Sequence, residues 1–382
     1  MRTTDAAHGP DPDKGVATSR QSSRSPARRG VDANTSTKPV PSPAKPGSPT
    51  IEHNITRVAS TDGPPWAVLA ADPRLPPRKH HLNDVGLVSD EGNGTFARIA
   101  ADLHTELGRD RLRIRPSGSS GPLRTLNEIL YRPGADIGVV QADALESLVM
   151  EDPSTVAPRH LRFLSRIYDA HVHVVTRDMI TDIRQLDSLA VNIGSPASGS
   201  HLTARLVFGK LGIKPTFTTY DTGDALDRLR AGEITAVFVV APRPAAEILQ
   251  FFGDGFHLLA VPWDPEVLRS YNPSEFLAAD YPTLIREGER VETIAVDVVL
   301  AVYNWRESST GYRRLTRFTR SLFSRLNQLQ QPGHHFSWSQ VDPSAEVHGW
   351  QRFTFEGGPR PVLPQADNQQ RPFDPDRRAD GG

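Results

Sequence analysis

The sequence predicts an α/β fold in two lobes joined by two hinge crossings, and three observations carry that prediction. Between Asp84 and Phe355, short runs rich in β-branched residues alternate with helical apolar patterns, as expected of parallel strands joined by crossover helices. The alternation occurs twice in the same order, which makes two similar units. A long β run at residues 291–303 follows both units and needs a sheet to join.

The first unit opens with a strand at residues 84–89 and a loop at 90–94. A helix starts at Thr95, places Phe96, Ile99, Leu103 and Leu107 on one face, and is expected to stop at Gly108. A strand at 111–115, a loop at 117–121, a helix over 122–130 and a strand at 137–141 follow, with Asp143 as the expected N-cap of the next helix. The second unit has a strand at 189–193, a loop at 194–199 and a helix over 200–211 that carries Leu202, Leu206, Val207 and Leu211 and stops at Gly212. A strand at 215–220, a helix over 222–231 closed by Gly232, and a strand at 236–240 complete it. The last helix, over 312–329, sets Leu315, Phe318, Leu322 and Leu326 on one stripe.

If everything after residue 262 joined the second unit, that lobe would far outgrow the first, so the run at 291–303 is expected to cross back. This gives lobe 1 from residues 84–170 and 291–355, lobe 2 from 175–261, and crossings near 168–175 and 261–291. Residues 1–65 and 357–382 are rich in Ser, Pro, Arg, Gln and Asp without apolar periodicity, and are expected to be disordered tails. Residues 1–50 hold 8 Lys and Arg against 4 Asp and Glu, an excess suited to a solvated linker.

Composition removes several function classes. A formal net charge of -1 gives no reason to expect nucleic acid or an anionic membrane as partner. The absence of cysteine excludes disulfides, thiol nucleophiles and thiolate metal sites. No stretch approaches the roughly 18 apolar residues of a membrane-spanning helix. Residues 1–50 also lack the run of about 7–15 apolar residues that a secretory signal needs.

The chemistry is expected at two loops, Glu91-Gly92-Asn93-Gly94-Thr95 and Gly194-Ser195-Pro196-Ala197-Ser198-Gly199-Ser200, each between a strand and a helix. The first turn of a helix leaves N–H groups unpaired and carries partial positive charge, while glycines admit a ligand to the backbone. Such loops sit at the carboxyl ends of strands, where open α/β sheets bind ligands. Gly194 and Gly199 have the spacing of a P-loop, but Ser200 and His201 replace the lysine and hydroxyl that a nucleotide and its magnesium require. No GxSxG elbow or HExxH helix is present, and Ser198 has no local partner to activate it. His171 and His173 share one face of a β run without a third metal ligand, and read as ordinary hinge-strand histidines. Neither catalytic residue, metal nor cofactor is called for.

Three ordered motifs resemble the TAXI-type solute receptors of tripartite (TRAP) transporters, which have the type II periplasmic binding protein fold. Gly92-Asn93-Gly94-Thr95-Phe96 is similar to that family's first-strand loop. Residues 116–126, together with Ala135-Asp136-Ile137-Gly138-Val139-Val140-Gln141-Ala142-Asp143, resemble its second motif, and residues 191–204 its third. Residues 293–300, 333–338 and 349–353 are weaker echoes. Ala197 departs from the pattern, standing where the family usually has glycine.

The resemblance implies a periplasmic, non-enzymatic receptor that closes around a small organic anion, such as a dicarboxylate or acidic amino acid, and hands it to membrane permease subunits. Carried over position by position, it implies ligand contacts from Gly94, Thr95 and Phe96, from Ser117, Gly118 and Ser119, from Gln141, and from Ser195, Ser198, Gly199 and Ser200. Arg243 and Arg124 are the candidates for pairing with a ligand carboxylate. An intracellular sensor of the same fold, or an enzyme using the same cleft, are the alternatives.

Overall fold

Asp84–Asp90 (β1) buries Val85, Leu87 and Val88 in the sheet of lobe 1. A computed structural model of the chain describes residues 81–90, 94–251 and 254–358, and the expected tails lie outside these except for Gly357 and Gly358. The described residues all fall within one of the chain's two units, residues 57–382.

After β1 come helix α1 (Thr95–Gly108), strand β2 (Arg113–Ser119), helix α2 (Pro122–Tyr131), strand β3 (Ile137–Gln141) and helix α3 (Asp143–Glu151). Strands β1, β2 and β3 are parallel, as their helical crossovers require. The apolar stripe of α1 is buried at Ile99, Leu103 and Leu107. The turn after α1 takes its left-handed residue at Arg111 (φ 62°), so Gly108 is not the stop expected of it.

Strand β4 (Leu161–Arg177) then runs through both lobes. Then come β5 (Ala190–Asn192), α4 (Gly199–Leu211), β6 (Thr216–Thr218), α5 (Thr222–Ala231), β7 (Ala236–Ala241) and β8 (Phe256–Leu258), followed by β9 (Asn272–Leu277). Helices α4 and α5 end as the sequence predicts, on left-handed glycines, Gly212 (φ 69°) and Gly232 (φ 78°). The return strand β10 (Arg290–Tyr303) precedes α6 (Thr310–Ser324), which buries Leu315, Phe318 and Leu322. Helix α6 ends at Ser324, short of the single helix expected to residue 329.

The strand order β2-β1-β3-β10-β4-β7-β5-β6 makes β4 and β10 an antiparallel pair at the centre of a two-lobed α/β fold. Each changes partner along its length. From His171 onward β4 pairs with β7, while β10 pairs with β9 up to Ala295 and with β3 from Val298. The change of partner on the return therefore lies within β10, not in the residues before it. A charged cluster ties the two strands there: Arg166 Nε donates to Asp297 Oδ1 (2.7 Å), and a second guanidinium nitrogen pairs with Asp169.

Two expectations about loop residues are corrected. Ser117, Gly118 and Ser119 lie in β2, in register with Val88, Ser89 and Asp90, because parallel pairing with β1 outweighs their loop-like composition. Asp143 is not an N-cap; Ala142 occupies that position, and the Asp143 side chain turns to the other lobe.

Candidate functional site

The carboxyl ends of β1, β3 and β7 converge on a cavity of about 230 Å³ between the lobes. Gly94, Thr95 and Phe96 from the start of α1 face it from lobe 1, and Ser198, Gly199 and Ser200 from the start of α4 face it from lobe 2. Gln141, the last residue of β3, lies between them. Asp90 and Tyr168 add two titratable groups, while Ala170, Val240, Ala241 and Pro242 make the apolar wall.

The two helix starts differ in how they are finished. Gly94 caps α1 without a side-chain hydrogen bond, so the first-turn N–H groups are committed to no capping side chain. At α4, the Ser198 hydroxyl accepts from the His201 N–H (3.2 Å), and the Ser200 hydroxyl accepts from the Val240 N–H (2.9 Å), pinning the helix start to β7.

Gln141 is 3% exposed, and among the described residues its Oε1 has no hydrogen-bond partner. Its amide lies against the α4 backbone: a Cβ on Gly199 would fall 1.7 Å from Oε1, so this approach needs glycine. The Asp90 Oδ1 is likewise buried without a partner among the described residues, and burial pushes this carboxyl up to about 6. Burial, reinforced by the nearby Asp90, raises the Tyr168 hydroxyl well above its ordinary range, so it stays protonated. No lysine or arginine lines the cavity among the described residues.

Four of the expected contact residues stand apart. Ser195 is exposed on the loop before α4, outside the cavity lining. Ser117, Gly118 and Ser119 lie along β2; the Ser117 hydroxyl accepts from Arg132 (2.7 Å), and the Ser119 hydroxyl is buried. Glu91, Gly92 and Asn93 lie outside the described residues. Both candidate arginines are engaged elsewhere, Arg124 with Glu128 (3.1 Å) and Arg243 with the Glu275 carbonyl. Burial holds His171 down to about 4 and His173 down to about 3, so both are neutral, and His173 Nε2 shares a hydrogen bond with the Tyr281 hydroxyl (2.6 Å).

Beside the cavity, the lobes are joined by a buried cluster with no sequence signal. Asp143 Oδ2 on α3 accepts from the Thr203 hydroxyl on α4 (2.6 Å) and from the Tyr271 hydroxyl (3.0 Å). Lys210 on α4 donates to Glu146 on α3 (2.6 Å). Burial raises the Asp143 carboxyl to about 6, opposed by the two hydroxyls. Its folded value therefore exceeds its unfolded one, and the group destabilises the fold progressively as pH rises from about 4 to about 6. Above that range the Thr203 bond is charge-assisted. Thr203→Val should then cost about 1.5–3 kcal/mol at pH 7.5 and less at pH 5, as measured by urea denaturation.

A model of the NMT1-like family matches residues 97–346. The chain belongs to the NMT1-like family. The match runs from the first turn of α1, through both lobes, to the segment that follows α6. Among solved structures, this NMT1-like chain is similar to one described as a periplasmic transporter, with 11% identity, a TM-score of 0.42, and coverage of 64% of this chain and 83% of that one. It is similar to a TctC solute binding protein from Polaromonas, with 16% identity, a TM-score of 0.40, and coverage of 64% and 88%. It is also similar to substrate binding domain 2 of GlnP from Lactococcus lactis in an open conformation, with 13% identity, a TM-score of 0.34, and coverage of 64% and 90%. No curated protein matches it. Among the described residues of this NMT1-like chain, no helix is long and apolar enough to cross a membrane.

Proposed function

We propose that the chain is a solute-binding receptor that closes its lobes around a small organic anion, such as a dicarboxylate or an acidic amino acid. The observation that carries this reading is that α1 and α4, from opposite lobes, begin at one cavity. Each helix start brings unpaired N–H groups and a partial positive charge equivalent to roughly half a proton charge. An anion between them is held by both lobes at once, and this differential contact shifts the receptor toward the closed state. At about 230 Å³ the cavity is smaller than the roughly 300–1,000 Å³ typical of pockets for drug-sized ligands, which suits a small metabolite.

Membership in the NMT1-like family is consistent with a binding role rather than a catalytic one. The resemblance of its motifs to TAXI receptors supports delivery to TRAP-type permease subunits from the periplasmic side. A thermal-shift screen of the full chain against dicarboxylates, amino acids, neutral sugars and cationic amines tests the reading. A bound solute at 100 times its Kd should add about 2.7 kcal/mol of stability. Recovery of that solute unchanged accords with a receptor. Stabilisation by sugars or amines but by no carboxylate would sink it.

A further inference from the structure

Taking the anion cleft proposed above as its basis, we infer that Asp90 holds a proton in the occupied cleft and donates it in a hydrogen bond to the bound carboxylate, so that capture takes up one proton and weakens as pH rises. Asp90 ends β1 and lines the same cavity of about 230 Å³ as the starts of α1 and α4. A solute carboxylate in that space therefore meets a second carboxyl group. Two carboxylates sharing one site repel, and the pair is relieved when one of them keeps a proton. The two helix starts together supply about one positive charge, enough for one carboxylate and not for two. No lysine or arginine lines the cavity among the described residues.

The surroundings of Asp90 offer nothing in place of that proton. Its Oδ1 is buried without a hydrogen-bond partner among the described residues. Opposite it in register on β2 is Ser119, while α1 and β3 bring Thr95, Phe96 and Gln141, all uncharged. Tyr168 on β4 is the one other titratable group lining the cavity among the described residues, and it stays protonated. Asp169, beside Tyr168, and Asp297, opposite Asp169 on β10, are both paired with Arg166. His201 of α4 lines a separate groove with Arg205. Burial alone lifts the Asp90 carboxyl to about 6, and a bound anion, as a like charge, lifts it further. Below that pH Asp90 is already protonated and affinity is level. Above it the carboxylate must first regain a proton, so affinity falls roughly tenfold per pH unit until the raised value of the occupied cleft is reached.

Calorimetry on the full chain tests this with succinate, glutarate and glutamate as probes. At pH 7.5, titrations in Tris and in HEPES, whose ionisation enthalpies differ, should report about one proton taken up per solute bound. Affinity should fall roughly 30-fold or more between pH 6 and pH 8. Asp90→Asn offers a permanent N–H donor in place of the proton, so this variant should bind without proton uptake and, at pH 8, more tightly than the wild type. Binding with no proton uptake and equal affinity at pH 6 and pH 8 overturns the inference and leaves the anion receptor standing. Uptake that persists in Asp90→Asn, or weaker binding by that variant at pH 8, overturns it as well. The wild-type titrations decide even if the variant fails to fold. Failure of every probe to bind at either pH overturns both the inference and the anion reading.

Discussion

Arg314→Met should destabilise the fold by about 3–5 kcal/mol, because it leaves the Asp136 carboxylate buried without its partner charge. Arg314 on α6 and Asp136 before β3 are both buried, and the guanidinium donates to Asp136 Oδ1. The other oxygen, Oδ2, accepts from the backbone N–H of Gly86 in β1 (2.9 Å). One carboxylate thus holds α6 to β1 and to the start of β3. Gly86 is fixed by the same junction, since a Cβ there would lie 1.6 Å from the Gly134 carbonyl oxygen. Urea denaturation of the variant measures the loss. Adding Asp136→Asn keeps an acceptor for the Gly86 N–H while removing the stranded charge, so the double variant should be more stable than Arg314→Met alone. Equal or lower stability of the double variant would mean that lost packing, not an unpaired charge, explains the cost.

That pair also shows what the sequence could and could not reveal. Asp136 stands within a run whose strand was plain from its apolar residues, but its partner is 178 positions away, and no local pattern links them. Elements with strong periodicity were legible: α1, β3, α4 and β10 appear where their apolar residues predict, because each buries a continuous stripe or run. The end of β2 is not legible, since Ser117, Gly118 and Ser119 look like a turn until β1 provides the hydrogen bonds that keep them extended. The glycine-rich starts of α1 and α4 were legible as local chemistry, and they do meet at one cavity. Asp90 reads from the sequence as part of the adjoining loop, whereas it ends β1, and its place at a strand's carboxyl end is the signal that marks it. Tyr168, Ala170 and residues 240–242 join the cavity through the pairing of β4 with β10 and then with β7, which a local reading does not supply.

Gly121→Val should weaken solute binding by about 100-fold or more, since apparent affinity falls in proportion to the population able to close. Gly121 precedes α2 in lobe 1, and a Cβ built there lies 1.8 Å from the backbone oxygen of Ala197 in the lobe 2 loop before α4. The clashing atom is main chain, so no rotamer change relieves it, and the loop carrying Ser198 and Gly199 must move away from Gln141. Gly121 also has φ 110°, so a side chain strains lobe 1 as well, and two effects need separating. Gly134→Ala provides the control: φ there is 84°, but a Cβ meets nothing within 4 Å. That variant should lose stability and keep its affinity. Gly121→Val should lose affinity beyond any loss of stability, and its solution scattering should show a larger radius in the presence of solute than the wild type has. If both variants bind like the wild type, contact between Gly121 and Ala197 is not required for capture, and closure of the cleft must proceed through the Asp143 and Thr203 side alone.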